Sequence, residues 1–113
     1  MDCIFCKIIQ KKIPATITFE DPEVVVIKDI KPQAPFHFLI LPKKHIPTIN
    51  DAEDSDQPLL AHMIIIAKKI AAMNQLSDVG YRLVFNINQG GGQDVYHLHL
   101  HLLGGRQMTW PPG

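Results

Sequence analysis

The chain has 113 residues, 46% of them hydrophobic and 19% charged, with a formal net charge of zero. That is enough for one domain, residues 1–113, whose core needs no disulfide staples, and the composition is that of an ordinary soluble globular protein. No basic run of the kind that follows a phosphate backbone is present, which argues against nucleic acid as a partner but leaves room for a nucleotide.

The longest apolar runs, Met63 to Ala67 and Phe38 to Leu41, are far too short to cross a bilayer, and no basic-then-apolar leader opens the sequence. No membrane is expected, and the cytoplasm is the expected compartment. There a structural disulfide between Cys3 and Cys6 is disfavoured. Their C-x-x-C spacing leaves a metal half-site, a redox pair or two small buried residues as readings.

Residues 3 to 9 predict a short helix with Ile4, Phe5, Ile8 and Ile9 on its apolar side and the two cysteines on a shared face. Pro14 ends it. Thr16 to Glu20 and Glu23 to Lys28 predict two strands joined at Asp21-Pro22, the second carrying the β-branched run Val24 to Ile27. Pro32 and Pro35 stiffen a loop over residues 29–35. Phe36 to Leu41 predicts a third strand, stopped by Pro42, and a polar connection runs on to Asp56. Ser55 or Asp56 can cap a helix with Pro58 in its first turn, and Leu59, Met63, Ile66 and Ile70 carry the helical spacing to about Asn74.

Tyr81 to Asn88 predicts a fourth strand. Gln89-Gly90-Gly91-Gly92-Gln93 follows as a loop. Tyr96 to Leu103 then alternates imidazole with leucine, and half of the six histidines fall within five positions. A strand here sends His97, His99 and His101 to one face and Leu98, Leu100 and Leu102 to the other. The fold class is therefore α+β: a five-stranded antiparallel sheet covered on one side by the long helix. The tail exposes Trp110 at a terminus, which points to docking against something, a second subunit included.

Three imidazoles in register, roughly 6.5–7 Å apart along a strand, serve metal ligation or phosphoryl and nucleotidyl transfer; a merely polar strand face is the plain alternative. In transfer chemistry one ring attacks phosphorus and another stabilises what develops around it. The preceding Gly90-Gly91-Gly92 favours transfer, because its backbone N–H groups can approach phosphate oxygens closely. Imidazole suits the work, since its pKa lies near neutrality. No Walker-type lysine motif is present.

The segment His97-Leu98-His99-Leu100-His101-Leu102-Leu103 matches the histidine triad signature, His-φ-His-φ-His-φ-φ. The stretches Asp29-Ile30-x-Pro32-Gln33-Ala34-Pro35-x-His37-Phe38, Pro42-Lys43-Lys44-His45-Ile46 and Gly91-Gly92-Gln93 extend the likeness. So does the tail Gly104-Gly105-Arg106-Gln107-Met108-x-Trp110-Pro111-Pro112-Gly113. Over nearly its whole length the chain resembles the Hint branch, the histidine triad nucleotide-binding proteins.

The resemblance implies a homodimer whose two sheets join into one of ten strands. It implies binding of purine nucleoside monophosphates and hydrolysis of P–N bonds in adenosine 5′-phosphoramidates. Carried over by position, His99 forms a nucleotidyl-histidine intermediate, His101 contacts the phosphate, His97 orients the nucleophile and His37 completes the relay. Asp29 holds the ribose hydroxyls, a task suited to a two-oxygen acceptor. Ile13, Ile27 and Ile30 line the base pocket, Asn86, Gly92 and Gln93 contact phosphate or ribose, and Trp110 reaches toward the partner's site.

Two positions depart from the pattern. Asp94 stands where a hydroxyl residue often follows Gly-Gly-Gln; an ionised carboxylate repels phosphate, so Asp94 points away, is protonated, or meets a cationic leaving amine. Cys3, Cys6, His45 and His97 match the C-x-x-C plus two histidines that hold a structural zinc in other branches. No cofactor is expected for catalysis itself. The other functional readings are a dinucleoside polyphosphate hydrolase, a nucleotide-binding interaction protein with incidental turnover, and a metal-binding protein.

Overall fold

The computed structural model describes residues 2–113. In chain order it comprises α1 (Ile4–Ile9), β1 (Ile17–Glu20), β2 (Val24–Lys28), β3 (Phe36–Pro42), α2 (Gln57–Met73), β4 (Tyr81–Val84) and β5 (Leu100–Gly104), with short 3-10 turns before α2 and between β4 and β5. The strands form one sheet in the order β1-β2-β3-β5-β4, every neighbouring pair antiparallel. This is the expected α+β architecture.

The sheet divides the core in two, and the alternation of side chains decides which residue joins which half. Val24, Val26, Phe38, Ile40, Leu98, Leu100 and Leu102 pack under α2 with Leu59, Met63, Ile66 and Ile70. Val25, Ile27, Leu39 and Leu41 face the other way and pack with Cys3, Phe5 and Ile8 from the start of the chain. Central strands covered on both faces need apolar residues at every position, which is why Val24 to Ile27 reads as a continuous run.

The structure corrects several boundaries. The short helix begins at Ile4, not at Cys3; Cys3 is its N-cap, and its Sγ accepts the Cys6 N–H at 3.3 Å. Phe5 and Ile8 are buried, but Ile4 turns outward. Asp56 precedes α2 without capping it through its side chain. Its carboxylate turns back to accept the Glu53 N–H at 2.9 Å and the Lys44 ammonium at 2.6 Å.

The fourth strand ends at Val84, not Asn88, because its partner runs out. Val84 pairs with His101, and β5 begins only at Leu100. Upstream of Leu100 the chain peels off the ladder, and the Leu98 N–H bonds the Ile46 carbonyl at 2.6 Å. The histidine stretch is thus a strand only from Leu100 onward, with His97 and His99 on an irregular lead-in that bends through Val95 to His97. The face alternation survives there: Leu98 packs under α2, whereas Phe5 lies edge-on to both His97 and His99. Among the described residues no helix is long and apolar enough to cross a membrane.

Candidate active site

Departure of the lead-in from the ladder frees the backbone around His97 for side-chain bonds. His99 is 5% exposed, and its Nδ1 lies 2.7 Å from the His97 carbonyl oxygen. A carbonyl only accepts, so Nδ1 carries the proton and donates it. In the neutral ring Nε2 is then left with its lone pair. His99 lines a largely apolar cavity, with Nε2 3.8 Å from an Asp94 carboxylate oxygen.

A second chain of bonds fixes His101. The Gln33 N–H donates to His37 Nδ1 at 3.0 Å, so the His37 proton sits on Nε2. His37 Nε2 is 2.9 Å from His101 Nδ1 and 3.4 Å from Asp29 Oδ2. His101 Nδ1 therefore accepts, and His101 Nε2 carries a proton. That Nε2 is buried with no partner among the described residues. Burial, reinforced by the neighbouring His99 and His37, lowers the His101 pKa to about 4, and burial likewise holds His37 below its ordinary value. Both rings are neutral at physiological pH. The site thus sets a lone pair on His99 beside a donor on His101, ring centroids 4.9 Å apart.

The cavity these rings face holds about 440 Å³. Ile4, Phe5, Ile8, Ile13, Ile27 and Leu39 supply apolar walls, and Asp29, His37, His99, His101 and Asp94 supply polar groups. A mostly apolar chamber with a few convergent polar atoms is the usual form of a small-molecule site.

Behind the site, Cys3, Cys6, His45 and His97 offer four donor atoms within 4.8 Å of one another. His97 Nε2 donates to the Pro42 carbonyl at 2.8 Å, so its Nδ1 turns a lone pair toward the cluster. Nδ1 of His97 is 3.5 Å from Cys3 Sγ, 3.6 Å from Cys6 Sγ and 3.0 Å from His45 Nδ1, and Cys6 Sγ is 3.4 Å from His45 Nδ1. Bond lengths for tetrahedral zinc imply S···N edges of about 3.5 Å and N···N edges of about 3.3 Å. The donor set fits such an ion, and the Pro42 carbonyl supplies the outer hydrogen bond that orients a ligating imidazole.

The family model described as "Scavenger mRNA decapping enzyme C-term binding" matches residues 2–110. The solved structure of a HIT family hydrolase from Legionella pneumophila is 65% identical, covers 99% of this chain and 100% of its own, and superposes with a TM-score of 0.98. The chain belongs to the histidine triad superfamily.

A histidine triad nucleotide-binding protein from Candida albicans is 30% identical, with a TM-score of 0.83 over 97% of this chain and 83% of its own. A zinc-bound histidine triad family protein from Mycobacterium smegmatis is also 30% identical, with a TM-score of 0.82 over 94% of this chain and 76% of its own.

Within this histidine triad chain most of the residues singled out from sequence fall into two groups. His37, His99, His101, Asp29, Ile13, Ile27, Ile30 and Asp94 gather round one cavity, Ile30 at its rim and 89% exposed. The His97 ring does not reach His99; it belongs to the Cys3–Cys6–His45 cluster, and only its backbone carbonyl orients the neighbouring imidazole. Gln93 is buried, its side-chain amide donating to the Pro47 and Val95 carbonyls and accepting the Asn88 N–H. Its side chain holds the glycine loop in shape. Asn86, Gly92 and Trp110 are not among the cavity-lining residues, and Trp110 is 83% exposed.

Two contributors escaped the sequence reading. Phe5 packs on both rings, though its helical spacing marked it only as core. The Gln33 N–H, which sets the His37 tautomer, is a backbone group that no side-chain pattern reveals.

Proposed function

We propose that the protein is a purine nucleoside phosphoramidase of the Hint type, hydrolysing the P–N bond of adenosine 5′-monophosphoramidates. The observation that carries this is the pairing of fixed tautomers. His99 offers a lone pair at Nε2, and His101 offers an N–H at a buried Nε2 without a protein partner. A nucleophile beside a preorganised donor suits an electrophilic phosphorus whose oxygens gain charge. The Candida and Legionella relatives, named as a nucleotide-binding protein and a hydrolase, support the reading.

In the first step His99 Nε2 bonds to phosphorus, the P–N bond breaks, and the departing amine takes up a proton from water at the open mouth. In the second step water attacks phosphorus, the His99–phosphorus bond breaks, and one proton is released. His101 Nε2–H donates to a phosphoryl oxygen in both steps, the His97 carbonyl holds His99 in register, and His37 holds His101. The isoleucines take the purine, and Asp29 takes the ribose hydroxyls.

Cys3, Cys6, His45 and His97 would hold a zinc ion that ties the start of the chain to the triad. With all protein positions filled, such an ion is structural. Catalysis needs no cofactor. Free thiols at Cys3 and Cys6 suit a reducing compartment such as the cytoplasm.

The test is incubation with an adenosine 5′-phosphoramidate and, separately, with a diadenosine polyphosphate. Fast release of the amine, lost in His99→Ala, is the expected result. Faster turnover of the polyphosphate would move the assignment to that hydrolase class. Binding of AMP with turnover of neither would make the protein a nucleotide-binding module.

A further inference from the structure

The cavity that His99 lines does not end at that ring. A second, polar cavity of about 570 Å³ opens beside it, lined by Asp2, Cys3, Lys7, His45 and Tyr96 among others. The two share a wall made by Ile4, Ile13, Asp94 and Val95. Asp94 stands on that seam, 3.8 Å from the nucleophilic nitrogen, with a side chain 82% exposed. No lysine or arginine lies within ion-pair distance of it among the described residues. In the second cavity Lys7 is already paired with Asp2 at 2.8 Å.

We infer that the second cavity takes the leaving group and that Asp94 makes the site prefer a leaving amine bearing a further positive charge. The inference rests on the phosphoramidase reading. A phosphorus seated against His99 Nε2 lies at the seam. With the nucleoside in the apolar chamber, the leaving group has the polar one to enter. The ionised carboxylate of Asp94 disfavours an anionic phosphoramidate that carries no compensating charge. An ammonium on the leaving group turns that repulsion into an ion pair beside the scissile bond. Asp94 is exposed, so the preference is modest, about fivefold in kcat/KM.

Two adenosine 5′-phosphoramidates with leaving amines of equal length test this, one ending in an ammonium and the other in a hydroxyl. Wild-type protein should favour the ammonium compound about fivefold. In Asp94→Asn, whose exposed position leaves the fold intact, the ratio should fall to near one. Equal kcat/KM for the two compounds in wild type, or a preference that survives Asp94→Asn, would overturn the inference. Calorimetric titration of the same pair into His99→Asn reads the cation preference without turnover. Turnover of neither compound sinks the phosphoramidase reading, whereas equal affinities in the titration sink this one.

Discussion

At the scale of single residues, the site works by deciding where protons sit. His101 is held neutral, its pKa lowered from 6.5 to about 4, chiefly by burial. The unfolded chain therefore binds a proton at His101 between those two values that the folded chain refuses. Stability rises with pH across that window and is lost as pH falls from about 6.5 toward 4. The lowered pKa of His37 acts in the same direction. Urea midpoints should drop from about pH 7 to about pH 4.5, and His101→Gln should flatten the slope. An equal slope in that variant would assign the acid sensitivity to other groups.

The identity of these residues was legible in the sequence, because three imidazoles at period two have few purposes. Their tautomers were not. Those depend on a carbonyl at His97 and an N–H at Gln33, and every residue carries such groups. The same blindness explains Gln93. A glutamine beside glycines reads as a ligand-binding side chain, yet its amide is engaged by three backbone groups.

At the scale of elements, legibility followed the number of turns over which a pattern repeats. The stripe of Leu59, Met63, Ile66 and Ile70 fixed α2 because it recurs through most of that seventeen-residue helix. Met63 is fully buried between α2 and the sheet, so Met63→Ala should destabilise the fold by about 2–5 kcal/mol, measured by denaturant titration. A loss under 1 kcal/mol would show that the helix collapses onto the space.

Strand limits were less legible, since a strand lasts only as long as its partner. Phe85 to Asn88 continues the apolar alternation of Tyr81 and Leu83, but the residues that would pair with it are the histidine lead-in, drawn off the ladder toward Ile46. The site thus cost the sheet four residues of pairing, and the deviation from local pattern falls at the functional segment. Gly105 marks the far end of β5. It sits at φ +91°, and an added Cβ would come within 2.9 Å of Pro35 and Phe36. The close approach packs the tail on the loop that carries Gln33, whose carbonyl accepts the Arg106 Nε–H at 3.0 Å.

At the scale of the molecule, the two sheet edges differ in what they offer a second copy. β1 carries a register shift between Ile17 and Phe19, an irregularity that blunts an edge against further pairing. β4 is the other outer strand, and its register with β5 is regular from Tyr81 to Val84. Joining two copies through β4 would extend the sheet to ten strands and bring the two α2 helices together on one face. The outward side of α2 exposes Ile64 and Ile65, 45% and 47% accessible, which an isolated helix face has no reason to favour. The homodimer that the family resemblance implies therefore predicts a particle of twice 12.7 kDa by sedimentation. Replacing both isoleucines, as Ile64→Lys with Ile65→Lys, should yield monomers that keep the wild-type circular dichroism, since neither side chain supports the core. A monomeric wild type at micromolar concentration would overturn the pairing through β4. A dimer untouched by the double substitution would move the interface off α2.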